Sequence, residues 1–574
     1  MARHGVGLLA LTGALLCAAP SRADDARFEA AECLLAAAEL IAGGAALDEE
    51  LFARGWPTSP DYRAVTRDLA GQGVDAVVMA YLGSGCGLPL GSTSYQRARL
   101  ERAPGGMPSP VALVRAELAA YRNAAGATSL TLPGTFEPVG IPYQRGKAEL
   151  ERAWSPDDLG TWRWREGAPP RHTLDALAFA MLAETRFARA KLAHTRVEDQ
   201  GAGRKATLLG RTGPEGFFGL VALHAAFAKL VELPRLVVDA RAQKIMPANE
   251  LGRLDELRYH LPTAWTTEVG AAGLEHAAVD DETRGKTYLF GQAGLLLALA
   301  ELADLCYAGP KPARDLLVAA RGPTPGQLVA FEAGLAEQAL DAALFVSRSL
   351  RTLHVNVVQG RAMSVGSLEL GVRGNTISPR DVGLYLLALD AFRALKLPDK
   401  HPRTAELTDE QRKADTLIRS LGASIRAWES DEPGLYDVYS VADNGRQAPT
   451  KSVGAQGLAV RGLLVAHRHA GQQGDDAPFF AAAERSLRWL DRERWDRSTR
   501  AYANAETKGK VAVLDAVAVL GALRAMALET GDGRYLMRYQ QYLSSLGAGG
   551  LLRPGQDRRA PGLAAEVALR SGSK

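Results

Sequence analysis

The stretch Ser452-Val453-Gly454-Ala455-Gln456-Gly457-Leu458-Ala459-Val460 runs on almost wholly apolar to Ala470 and halts at Gly471. It reads as one helix over 453–470. A small polar residue precedes it, where a hydroxyl can cap free N–H groups, and glycine follows, where the left-handed C-cap conformation costs little. A helix that is apolar nearly all round has to be buried. The same pattern, a small or polar start running into Ala, Leu and Val, begins near Asp175, Glu215, Gln292, Asp381 and Asp515. It predicts apolar helices over 172–189, 214–233, 291–305, 381–395 and 512–530. Between them, segments 331–353, 408–428, 478–490 and 534–546 carry apolar stripes with charged outer faces. Striped helices can face water while apolar ones cannot. Two concentric layers meet both demands, so the expected fold is all-α, an (α/α)6-type helical toroid with a pocket at one mouth. A solenoid of stacked helical hairpins is the architectural alternative.

Outside this alternation the pattern changes. Residues 24–165 read as a less regular N-terminal helical extension, 166–546 as the toroid and 547–574 as a weakly ordered tail. Ser155-Pro156-Asp157-Asp158 reads as a helix start opening the ring. Segments 235–239 and 354–371 are rich in Val and other apolar residues and are expected to form short strands beside it.

The chain has 574 residues, 47 % of them hydrophobic and 23 % charged, with a formal net charge of +3. That is ordinary globular composition. So small a net charge, with basic residues dispersed beside acids, implies no nucleic acid. Residues 1–23 read as a signal peptide: Arg3 and His4, an apolar run to Ala19, then Ser21-Arg22-Ala23 as a small-x-small cleavage site. Cys17 is alternatively a lipidation site, though Leu15-Leu16 before it lacks the usual small residue. No later stretch is uninterruptedly apolar for the roughly 18 residues a spanning helix needs. The expected location is therefore periplasmic or secreted, with no transmembrane segment in the mature chain. In an oxidising compartment Cys33 and Cys86 either form a disulfide or, with Cys306, remain buried thiols.

The C-terminal third adds a resemblance. Gly434-Leu435-Tyr436-Asp437, then Pro449 to Gln456 and the apolar helix, then Phe479-Phe480 to Leu490 and a new aromatic turn at Trp495 form a repeat of aromatic loop, polar start, inner helix and outer helix. This resembles the helical toroids of the N-acylglucosamine epimerase and thioredoxin-domain-associated (α/α)6 proteins, most clearly over 430–545. The resemblance implies the toroid. No thioredoxin-like cysteine pair lies upstream, and the paired histidines of sugar epimerases find no counterparts.

In a toroid, ligands meet the ends of the inner helices, whose first N–H groups carry partial positive charge. Three loops there bring acids and aromatics together. The first holds His276 and Asp281, with Asp280 and Glu282; the second Tyr436, Asp437, Tyr439 and Asp443; the third Trp495, Tyr502, Asn504 and Glu506. Asp437, Glu506 and Asp281 are candidate acids and bases for saccharide chemistry. Tyr436, Tyr439, Asp443, Trp495, Tyr502 and His276 are candidate substrate contacts. Each group has a structural alternative: solvated turns, caps or, for Asp443-Asn444-Gly445, a tight turn. His467 and His469 sit near a helix C-terminus, where dipole interaction accounts for them. No phosphate loop, dinucleotide fingerprint, zinc spacing or haem attachment site is present, so neither cofactor nor metal is expected. Two functions stay open: a carbohydrate-active or glycan-binding protein with a saccharide ligand, hydrolase- or lyase-like if an enzyme, or a non-catalytic scaffold for another exported protein.

Overall fold

A computed structural model describes residues 171–193 and most of 233–548, with gaps that include 270–274, 310–324, 368–373, 442–444, 471–476 and 504–509. It also describes segments within 144–164, single positions within 223–230, and residues 566–568. The described helices are α1 (Leu174–Ala193), α2 (Leu289–Ala308), α3 (Pro325–Leu353), α4 (Pro379–Ala394) and α5 (Thr404–Asp431). They continue with α6 (Val453–Ala470), α7 (Ala477–Glu493), α8 (Val513–Thr530) and α9 (Gly533–Ala548). Each falls where the apolar or striped pattern predicts it.

The two patterns separate into two layers. The apolar helices α1, α2, α4, α6 and α8 pack side by side in chain order. The striped helices lie behind them: α3 on α2, α5 on α4, α7 on α6, α9 on α8. Every residue from Gly291 to Ala300 in α2 is buried, as is every residue from Val453 to Val460 in α6. This is the (α/α)6-type toroid, all-α in class. Helix α2 is long and apolar enough by composition to cross a bilayer, yet 78 % of its most apolar window is buried inside the fold.

Glycine lets the inner layer close up. A Cβ on Gly383 of α4 would lie 2.4 Å from the Leu458 carbonyl oxygen of α6, and one on Gly457 of α6 would lie 2.6 Å from the Ala518 backbone of α8. Gly294 of α2 lies against the Phe179 ring of α1, so these helices touch directly; the expected helix over 214–233 lies mostly outside the described residues. The expected helix start at Ser155 lies outside the described residues, and Thr161–Trp164 after it is a strand pairing with Ala148–Ala153, as the alternation along its sequence favours.

The two ends of the inner layer are built differently. At the C-terminal ends, ion pairs join neighbours: Arg186 to Glu301 at 2.6 Å and Arg189 to Asp304 at 2.8 Å between α1 and α2, and Arg468 to Asp390 at 2.9 Å between α6 and α4. His469 bridges Asp390 at 2.9 Å and Asp415 of α5 at 3.2 Å, and His467 faces Glu529 of α8 at 3.5 Å. At the N-terminal ends short antiparallel strands lead into the helices. Arg171–Thr173 pairs with Ala264–Thr266, Lys286–Tyr288 with Val365–Ser367, and Thr376–Ile377 with Tyr439–Ser440. The expected strands near 235–239 and 354–371 are part of this lattice. In the tail, Glu566–Ala568 pairs with Lys510–Ala512 just before α8. Residues 1–23, with Cys17, and both Cys33 and Cys86 lie outside the described residues.

Among the described residues the core holds one fully buried ion pair. Glu184 of α1 and Lys229 are each 2 % exposed and meet at 2.5 Å. Burial pushes the Glu184 carboxyl up to about 8, with the Lys229 charge and hydrogen bond opposing.

Candidate functional site at the mouth of the ring

The loop before α6 is held by its own polar groups. The Asp437 carboxylate accepts from the Ser452 backbone N–H at 2.8 Å and from the Ser452 hydroxyl at 2.7 Å. The Ser452 oxygen in turn accepts from the Ala455 N–H at 3.3 Å, so Asp437 fixes the residue that caps α6. Gln456 uses both ends of its amide on Leu435, accepting from its N–H at 2.9 Å and donating to its carbonyl at 2.5 Å. On α2 the corresponding first-turn Gln292 donates to the Leu261 carbonyl at 3.5 Å. First-turn glutamines therefore tie the preceding loops to the inner helices.

The aromatic members of this loop are packed inward. Tyr439 is 8 % exposed, stacks on Trp428 with centroids 4.6 Å apart, and accepts the Tyr436 N–H at 3.1 Å. Tyr436 is 7 % exposed and lies under the Lys451 ammonium, 4.3 Å from the ring centroid. In the third loop Trp495–Asp496 pairs with Ala501–Tyr502. Trp495 is half-buried beneath the Arg538 guanidinium at 4.0 Å. Tyr502 is fully buried and donates its hydroxyl to Asp491 at 2.6 Å, and that burial raises the phenol well above its usual range. Asp281 is exposed and pairs with Arg284 in the same turn, while buried Asp280 accepts the Thr283 hydroxyl. His276 sits in the strand Glu275–Val279 opposite Glu268. Asp443 and Glu506 fall outside the described residues. Among the described candidates, most polar groups thus serve caps, turns and packing.

A second set lies on the inner helices themselves. At the first turns, Phe290 of α2 is half-buried, its ring edge-on to Phe179 at 5.2 Å and covered by the Arg380 guanidinium of α4 at 4.2 Å. Asp175 packs against Gly291, and Asp515 against Gly454 of the neighbouring α6. Burial raises the Asp381 carboxyl above its ordinary value, against the Arg380 charge and a hydrogen bond from Ser364. Further down, Leu387 and Ala391 of α4, Arg461 of α6, and Gly521, Arg524, Ala525 and Leu528 of α8 are half-buried on helices otherwise packed on all sides. These positions recur at three-, four- and seven-residue intervals, one face of each helix. On α4 and α6 both flanks meet other inner helices and the back meets the outer layer, so there this face looks toward the ring axis; α8 meets α6 on one flank and α9 behind. Phe290, Arg380, Arg461 and Arg524 were not singled out in the sequence. Their signal there is a cation or ring interrupting an apolar inner-helix pattern.

The fold and this lining define the class: an (α/α)6 helical toroid with an aromatic and charged mouth. No protein-family model matches the chain, and no curated protein sequence matches it. Solved structures similar to it include a D-mannose isomerase (12 % identity, TM-score 0.38, covering 67 % of this chain and 78 % of that one). A cellobiose 2-epimerase from Bacillus thermoamylovorans is similar at 11 % identity and TM-score 0.40 over 70 % and 84 % of the chains. A sugar epimerase from a ruminal bacterium is similar at 10 % and 0.38 over 66 % and 76 %. At these scores the likenesses carry nothing about chemistry; the toroid rests on the packing of its own helices. Among the described residues no group of three or more His, Cys, Asp or Glu is arranged to hold a metal ion.

Proposed function

We propose that the protein binds or processes a saccharide at the N-terminal mouth of its inner helices. The supporting observation is the half-buried Phe290 ring with the Arg380 guanidinium upon it, flanked by first-turn acids. A sugar ring presents apolar C–H faces and a belt of hydroxyls, so it is matched by an aromatic face beside fixed donors and acceptors; sites of this kind are concave, with few well-placed polar groups. The opposite end, joined by ion pairs, offers less.

The same reading holds the protein to be exported, to the periplasm or beyond, supported by the basic and then apolar residues 1–23. Asp437, Glu506 and Asp281 remain proposed acids and bases, with Tyr436, Tyr439, Asp443, Trp495, Tyr502 and His276 as proposed contacts. For Asp437, Tyr439 and Tyr502 such a role requires rearrangement of the contacts described above. A scaffold role would call for an apolar surface of several hundred Å². Among the described residues the exposed large hydrophobics are Met246, Leu257 and Met537, which are scattered.

Calorimetric titration with a panel of neutral and acidic mono- to tetrasaccharides tests the reading. Binding that weakens about tenfold or more in Phe290→Ala, with an unchanged melting temperature, supports it. Binding that Phe290→Ala leaves intact moves the site elsewhere, and no binding by any sugar refutes it.

A further inference from the structure

Phe290 and Arg380 stand on different helices, and one residue bonds to the starts of both. Phe290 follows Leu289, the first residue of α2, and Arg380 lies in the first turn of α4. The 4.2 Å between ring and guanidinium therefore depends on how the two helix starts are set against each other. Ser364 precedes the strand Val365–Ser367. Its carbonyl accepts the Leu289 N–H at 2.9 Å, and its own N–H donates to the Thr376 carbonyl at 2.9 Å, in the strand leading into α4. Its hydroxyl oxygen accepts the N–H of Ser378, the residue before α4, at 2.9 Å. The hydroxyl proton goes to the Asp381 carboxyl, which also feels the Arg380 charge. One hydroxyl thus takes a proton from one residue of the α4 start and gives one to another.

The Ser364 backbone is itself fixed to the α2 side. His354 is fully buried, with Nδ1 2.8 Å from the Met363 carbonyl and Nε2 3.3 Å from the Thr287 hydroxyl. A carbonyl only accepts, so Nδ1 carries the ring proton and Nε2 accepts from Thr287. Thr287 lies in the strand that leads into α2, and that strand pairs with Val365–Ser367. The Met363 N–H returns to the His354 carbonyl at 2.9 Å. Residues 363–367 therefore move with the start of α2, and the Ser364 hydroxyl joins them to the start of α4.

We infer that Ser364 is the positioning residue of the mouth: its hydroxyl holds Arg380 over Phe290 by linking the start of α4 to that of α2. The inference rests on the saccharide reading above and adds the residue that shapes its site. Ser364 acts through the pair and needs no contact with the sugar. The link requires a group that accepts from Ser378 and donates to Asp381, which threonine supplies and alanine does not.

Nuclear magnetic resonance on the full chain, with isotope-labelled arginine, reads the geometry without a ligand. A guanidinium over a ring face feels the ring current, which moves its signal upfield. Arg380→Lys assigns the Arg380 signal, and Phe290→Leu gives its position without the ring. Ser364→Ala is expected to move the signal toward that position, and Ser364→Thr to keep it near the wild type. Calorimetry with maltotriose and trigalacturonate, a neutral and an acidic probe, is expected to show binding about fivefold or more weaker in Ser364→Ala and restored in Ser364→Thr. Melting temperatures are recorded beside both, because a merely stabilising hydroxyl changes those and leaves the Arg380 signal of the folded protein in place. Should the alanine variant not fold, Ser364→Cys, similar in shape and a weak hydrogen-bonding group, replaces it. An Arg380 signal that the variant leaves unmoved overturns the inference. A signal that moves without loss of sugar binding overturns it too, together with the placing of the sugar on this pair. If neither probe binds the wild type, the saccharide reading falls and the Arg380 signal alone decides whether Ser364 sets the pair.

Discussion

Lowering the pH should destabilise this fold through His260, and the effect can be sized. His260 is 3 % exposed, and its strand Tyr259–His260 pairs with Val238–Asp239. Its Nδ1 is buried without a hydrogen-bond partner. Burial pushes the imidazole down from 6.5 to about 4, with the Asp239 charge opposing. The folded state thus resists protonation that the unfolded chain accepts. Above about 6.5 both states are neutral and the group contributes no slope. Between 6.5 and about 4 the unfolded state binds the proton first, so stability falls as pH falls; below 4 both are charged. A depression of about 2.5 units at about 1.4 kcal/mol each gives a loss of about 3 kcal/mol across that window, about 2 of it by pH 5. His260→Leu removes the titration and the unmatched nitrogen. Chemical unfolding of both proteins at matched pH reads the difference, which cancels the other titrating groups. The wild type should lose about 3 kcal/mol relative to the variant between pH 7.5 and 4. Parallel stability curves would refute the reasoning, as would a variant that loses as much as the wild type. The consequence reaches the mouth, because the next residue, Leu261, offers the carbonyl that holds Gln292 at the start of α2.

Further outcomes follow from packing and capping. Gly383→Ala sets a methyl against the Leu458 carbonyl and should cost about 1–3 kcal/mol by forcing α4 and α6 apart, whereas Gly334→Ala on outer α3, with nothing within 4 Å of its Cβ, should be neutral or stabilising; thermal melts of the pair check both. Asp437→Ala should cost about 1 kcal/mol through loss of the Ser452 support, and denaturant unfolding beside saccharide titration separates that structural role from a chemical one.

The sequence by itself determined the helices and their layering. Val453–Ala470 is helical between the residues that its apolar run and flanking small residues mark out. The stripes of α3, α5, α7 and α9 predicted an outer layer because burial demand depends only on which residues share a face, and helical period sets that locally. Strands were legible where Val-rich runs stood alone, as at 238–239 and 355–356. Thr161–Trp164, which pairs with the preceding strand Ala148–Ala153, went unread because the Ser-Pro-Asp-Asp between the two looks like a helix cap.

The mouth and axis were decided only in three dimensions. Asp437 and Tyr502 look like site residues in a list of loop acids and aromatics, yet the fold supplies Ser452 and Asp491 as their partners. Arg461 looks like a stray charge in an apolar helix, yet the packing of α6 on α8 lays its guanidinium against Gly521. Periodicity is a property of one segment and survives in one dimension. Which polar groups satisfy one another depends on distances between segments, and only the packing of the whole ring sets those.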